Sequence, residues 1–269
     1  MTKPKHTKAE SPVIRQPNLE YYRAAFGRVG WFIPPYVTLG FLGSVAKHMQ
    51  ARGSEYQQGE LEAVLAHVYS DAHLAPMVVS RYSSALHVQD YKQVIAEAVE
   101  AHFMGLNHVA VSGLLPVVEG VVMRLGAARG LPPLRNKRAA AFLALAKHCR
   151  EEVQTRQIGQ MGEVISMIDS FLDFTEQHLY ADSDAYPLSD KSNRNGISHG
   201  RYADDDYGSP LNFYKVISCV DMLCFISSFW GGGSWFAPPP NAESDRLLQR
   251  YQLLRLLAKT KATALRSFD

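Results

Sequence analysis

Apolar residues recur along this chain at intervals of three and four, the spacing of one face of an α-helix, and few stretches alternate as a half-buried strand would. The pattern predicts a short amphipathic helix from Leu19 to Val29, ended near Gly30, then an apolar elbow, Trp31-Phe32-Ile33-Pro34-Pro35. Pro35 is suited to open a helix that runs to about Arg52, where Gly53 closes it. Ser54 is a candidate N-cap for the next helix, to about Tyr69, and a shorter one is predicted over Leu74 to Ala85. Asp90 to Met104 follows, with Tyr91, Val94, Ile95, Ala98, Val99 and His102 on one side and Gly105 at its end. Asn107 to Ala128 is a long apolar helix with Pro116 inside it, which predicts a kink or a split. After the turn Gly130 to Pro133, Lys137 to Arg150 and Ile158 to Tyr180 read as helical, as one bent helix with Gly159 and Gly162 as its weak points. Ala181 to Asn195 is polar and loop-like. Ser209-Pro210 starts a helix to about Trp230, with Ser as N-cap and Pro at the first helical position. Gly231 to Asn241 is a Gly/Pro linker, and Asp245 to Leu265 is amphipathic. In that last helix Leu247, Leu248, Tyr251, Leu254 and Leu257 are expected inward, and Arg246, Arg250, Arg255, Lys259 and Lys261 mostly outward.

No fixed-period repeat interrupts this order, so the fold class is all-α, a helical bundle. The segments divide as a basic, disordered tail (1–18), an N-terminal helical region (19–86), a bundle (87–230), a linker (231–242) and a C-terminal helix (243–269). Val216 to Trp230 is the most membrane-like run, but Asp221 breaks it and it falls short of the ~20 apolar residues of a span. It is expected to be a buried core helix, with no membrane involved.

Of 269 residues, 46% are hydrophobic and 20% charged, which suits a globular chain with a sizeable core. The net charge is only +2, so any nucleic-acid binding must come from a local patch. Cys149, Cys219 and Cys224 are odd in number and lack Cys-x-x-Cys spacing, which favours a reducing, cytoplasmic setting. The start of the chain is polar and basic and lacks the apolar core of a signal peptide.

Chemistry concentrates in Asn193-Arg194-Asn195-Gly196-Ile197-Ser198-His199-Gly200. A guanidinium keeps its charge and grips phosphate with paired hydrogen bonds; an imidazole exchanges protons near neutrality. Attack of a ribose 2′-OH on the adjacent phosphate needs a base, a donor to the charge growing on phosphate oxygen, and an acid for the leaving 5′ oxygen. Arg194 suits the second role and His199 the first or third, with Asn193 and Asn195 available to orient the imidazole or hold the phosphate. One imidazole serves poorly as both acid and base. Two chains meeting at a two-fold axis would supply two, which makes a homodimer the natural unit. Residues five apart on a regular helix are turned by about 140°, so the pair converges only if the segment is an irregular helix start, with Gly196 allowing a break. Asp204-Asp205-Asp206 close by would repel a phosphate chain unless turned away.

Glu119 lies in an otherwise apolar helical stretch. It either pairs with Arg194 or His199 across the bundle, or faces solvent at the Pro116 kink. His102 and His108 flank a turn near Glu97 and Glu100, but no paired Glu-x-x-His, His-Glu-x-x-His or zinc pattern accompanies them, so no metal is expected and no cofactor. His102 reads as a helix-end or interface histidine. Gly231-Gly232-Gly233-Ser234 is no P-loop, and the basic terminal helix either touches RNA or an acidic partner, or is simply solvated.

Arg194-Asn195-x-x-x-His199 resembles the hallmark of the HEPN superfamily (higher eukaryotes and prokaryotes nucleotide-binding), Arg, a polar residue, a few more and His. That resemblance implies a compact helical bundle over about 87–230, with the motif near the start of its last helix. It also implies a metal-independent endoribonuclease with Arg194 and His199 catalytic, acting as a homodimer on RNA, in toxin–antitoxin, abortive-infection or phage-defence systems with an antitoxin or defence partner. Many such domains have lost catalysis and serve as binding or assembly modules, which is the alternative reading. Trp31-Phe32-Ile33-Pro34, Glu97-Ala98-x-x-Ala101-His102 and Leu114-Leu115-Pro116-x-x-Glu119-Gly120 are similar to an uncharacterised bacterial all-helical family that also carries Asn-Arg-x-x-Ile-x-His-Gly.

Overall fold

The computed structural model describes residues 19–134, 138–231 and 233–266, with side chains to Thr260. The tail expected over 1–18 lies outside them. Among the described residues all regular structure is helical, in eleven α-helices with short 3-10 and π turns between them. These are α1 (Leu19–Gly27), α2 (Leu39–Arg52), α3 (Gln58–Val68), α4 (Asp71–Pro76), α5 (Lys92–Phe103), α6 (Asn107–Ala128), α7 (Arg138–Arg156), α8 (Met161–Phe174), α9 (Arg194–Ser198), α10 (Pro210–Gly231) and α11 (Ala242–Arg266). The all-α helical bundle expected from the periodicity is what the chain forms.

α10 is its axis. Nearly every residue from Leu211 to Phe229 is buried, as a helix apolar on all sides must be. It packs on α6 and α3; α6 in turn packs on α5 and α7, α7 on α8, and α8 on α1. α11 closes the other side against α4 and α5, through Tyr251, which is fully buried against Phe103. One contiguous core therefore runs from Leu19 to Tyr251 and takes in all three helical segments read from the sequence. α6 and α10 have the length and apolarity of a membrane span, but α10 spends its apolar surface inside the bundle.

Helix ends depart from the sequence reading where tertiary contacts choose the cap. Pro35 does not open α2. The backbone turns at Tyr36, which has φ +63°, and Thr38 then caps α2 by accepting from the Phe41 N–H. Ser54 does not open α3 but sits in a 3-10 turn; Gln57 caps α3 in a reciprocal box with Glu60. α6 runs unbroken through Pro116. The single bent helix expected after Lys137 (itself outside the described residues) is two helices, parted where Gln157 and Gly159 take positive φ. Leu257, expected inward, is exposed, as are Val94 and Val109. Ser209-Pro210 does start α10, with Ser209 and Asn212 exchanging hydrogen bonds as a capping box.

Candidate functional site

α9 is one short turn, and its shortness brings the motif together. Asn193 is fully buried and caps α9: its Oδ1 accepts from the Gly196 N–H at 2.9 Å, and its Nδ2 donates to the His178 and Ala181 carbonyls, both at 2.9 Å. His199 stands at the far end with φ −101° and ψ 8°, off the regular helix. Its ring therefore swings back over the turn, and Arg194 Nη1 comes to 3.0 Å from His199 Nε2. A guanidinium only donates, so in this contact Nε2 is the acceptor, which leaves Nδ1 as the ring's donor. Gly196 does not break the helix as expected. It lies within α9, where the Tyr202 ring occupies the space a side chain would need.

Glu119 settles in the paired alternative. Its Oε1 is 2.5 Å from Arg194 Nε, a close ion contact without hydrogen-bond alignment, and its Oε2 accepts from Arg194 Nη2 at 3.3 Å. Arg138 Nε lies 3.3 Å from Oε2, and the Tyr180 hydroxyl donates to Oε1 at 3.0 Å. Burial, and then the Glu119 charge, push the Tyr180 phenol well above its ordinary range, so it stays a donor. Two guanidiniums and a phenol thus hold one carboxylate, and Arg194 is fixed from behind with Nη1 left for His199. The Arg194 side chain is 18% exposed, whereas His199 is open to solvent.

The Asn residues hold the backbone rather than the imidazole. Asn195 Nδ2 donates to the Tyr180 and Ala181 carbonyls at 3.3 and 3.4 Å, and its Oδ1 is 3.5 Å from Arg194 Nη1. Of the two, only Asn195 reaches Arg194. Arg138 and Tyr180 belong to this group although sequence reading did not single them out. Tyr180 is delivered by the π turn Thr175–Leu179, in which its N–H bonds back five residues to Thr175 at 2.9 Å.

His102 is a core residue. Its ring stacks on Phe213 with centroids 3.9 Å apart, Nδ1 bonds Asn107 Oδ1 at 2.7 Å, and burial pushes it down to about 4. Among the described residues, no three His, Cys, Asp or Glu side chains converge as a metal-holding group. His108 instead bonds the Asp204 carbonyl at 3.1 Å, and Asp206 accepts from the Ala203 N–H.

No family model matches this chain, and neither a curated protein nor a solved structure matches it. The geometry of the site must therefore carry the functional reading.

A second polar group, missed in the sequence, anchors the loop that leads into α9. Lys215 is fully buried in α10, and its Nζ lies 2.9 Å from Asp190 Oδ2, 3.1 Å from Gln58 Oε1 and 3.2 Å from the Val29 carbonyl. Asn212 adds a 2.6 Å bond to the Asp190 carbonyl. Burial lowers the Lys215 ammonium from its ordinary value, and Asp190 opposes that. The available signal was a lone lysine in an apolar helix, which needs a buried counterion.

Proposed function

We propose that this chain is a metal-independent endoribonuclease of the HEPN type, acting as a homodimer in the cytoplasm, in a toxin–antitoxin or phage-defence setting. What supports this reading is the 3.0 Å approach of Arg194 Nη1 to His199 Nε2 on an exposed edge of the bundle. A phosphate seated there meets a fixed positive charge and a basic imidazole together. Glu119, Arg138 and Tyr180 keep the guanidinium in place, so little order must be gained when substrate binds. Each chain brings one such imidazole; a second copy brings the partner acid.

The test is cleavage of a mixed-sequence single-stranded RNA in EDTA. Wild type cuts, and His199→Ala and Arg194→Ala do not, while circular dichroism keeps its helical signal. Mixing the two variants restores part of the activity if sites are shared between copies. Wild-type protein that never cuts, or a His199→Ala variant that cuts as well, rejects the proposal.

A second reading rests on the ion contacts of Glu119 with both Arg194 and Arg138, which neutralise much of the positive charge. In that reading the group is a bolt fastening α9 to α6 and α7, and the bundle is a binding or assembly module.

A further inference from the structure

A cavity of about 370 Å³ opens between the elbow after α1, the start of α8 and the segment after α10, walled by Tyr36, Phe225, Trp235 and Phe236. Its size is that of a small-molecule site rather than a packing defect. Two walls are made at a cost. Tyr36 holds φ +63°, which is strained for an aromatic residue and recurs at ligand clamps. Trp235 lies over Gly159, which has φ +58° and whose missing side chain leaves room for the indole ring. Phe225 meets Trp235 edge-on at 5.3 Å, which fixes that ring further.

Among the described residues, the charge lining this cavity has one sign. Glu163 lines it, is half-buried, and its carboxylate makes no ion pair or side-chain hydrogen bond among the described residues. Arg81 stands behind the wall and does not line the cavity: it donates to the Phe236 carbonyl at 2.7 Å and lies over the Tyr36 ring at 5.2 Å. Aromatic walls with one unpaired carboxylate fit an apolar body bearing one positive charge, which the ring faces and the carboxylate both attract. We infer that this cavity binds a small organic cation, an amine with a hydrophobic, ring-sized body. The site is separate from Arg194 and His199 and does not depend on their role.

The test is titration calorimetry of the full chain at pH 7 with three matched probes: 4-phenylbutylamine, 4-phenylbutanol and 4-phenylbutyrate. The amine binds tightest, the alcohol less and the acid least. Glu163→Gln weakens the amine about fivefold, to the level of the alcohol, and leaves the alcohol unchanged. Leu39→Trp, a change at an exposed rim position, closes the cavity and removes binding of all three. If that variant loses its helical signal, Phe236→Ala, at a 79% exposed wall residue, serves instead and weakens the amine most. Equal affinity for the three probes, tighter binding of the acid, amine binding indifferent to Glu163→Gln, or no binding at all overturns the inference. So does a wild-type dimer that binds no probe and that Leu39→Trp splits into monomers, because the cavity would then be a contact between copies.

Discussion

At the junction of α6 and α9, Glu119 is met by Arg194, Arg138 and the Tyr180 hydroxyl; in the middle of α10, Asp221 is met by one hydroxyl, that of Tyr82, at 2.7 Å. Both carboxylates interrupt apolar helices. At the edge of the bundle long cations can reach in while part of each stays in water, as Arg138 does with 37% of its side chain exposed. At the centre any cation would itself need burial. Burial instead pushes the Asp221 carboxyl up to about 7, with the Tyr82 bond and the Arg81 charge opposing. One carboxylate is held by charges, the other moves toward taking up a proton. The difference separates a site that presents charge from a core that suppresses it.

The comparison breaks most visibly at Glu119. Glu119→Gln strands two guanidiniums and costs about 3 kcal/mol in urea unfolding. Glu119→Leu combined with Arg194→Met recovers most of that, because both desolvated charges go together. If Glu119→Gln is neutral, the ion contacts are decorative and Arg194 is not held from behind.

Asp221→Asn should act with the opposite sign. It keeps an acceptor for Tyr82 and removes the charge, so it stabilises by about 2 kcal/mol at pH 8, after allowing for the added amide N–H groups. Destabilisation at that pH would show that Asp221 is charged and matched in the core.

The pH profile sharpens the same point. Folding raises Asp221 from 3.8 to about 7, so the folded chain holds a proton that the unfolded chain releases. That contribution is fullest at low pH and is lost as pH rises from about 4 to about 7. His73 and His102 run the other way: burial lowers each from 6.5 to about 4, so stability is lost as pH falls through that window. His178 is also lowered, by burial first and then by Lys215. The melting temperature therefore climbs from pH 4 and levels off near pH 7, where the loss from Asp221 balances what remains of the histidine gain. Asp221→Asn steepens the climb, and an unchanged profile contradicts the assignment.

The smallest expected effect is on His199. It is exposed and, among the described residues, its side chain bonds only Arg194, so His199→Ala shifts stability by less than about 0.5 kcal/mol. A larger loss would favour the structural bolt.

Much of this was legible in the sequence, for reasons that differ by residue. Asn107 to Ala128 was readable to its ends because an apolar face and the turn residues Gly105 and Gly130 agree locally. The start of α2 was not, because the turn at Tyr36 is imposed by packing against Arg81 and the cavity wall, not by local propensity. Within the site, Arg194 and His199 lie close in the chain, and the need for an irregular turn followed from helix geometry alone. Glu119 was visible as a misplaced charge whose partner stayed open. Arg138 and Tyr180 were invisible because they arrive from α7 and the π turn after α8, and only packing of those helices on α6 brings them in. Lys215 was readable in principle: a lysine in a run as apolar as α10 predicts a buried acid.

The most direct measurement is the chemistry of the ends of an RNA incubated with this chain in EDTA, read by mass spectrometry. The account predicts 2′,3′-cyclic phosphate or 3′-phosphate with 5′-hydroxyl ends from wild type, and intact RNA from a folded His199→Ala variant. Products with 3′-hydroxyl and 5′-phosphate ends, or the same products from both proteins, would contradict the convergence of Arg194 and His199 as the reacting pair.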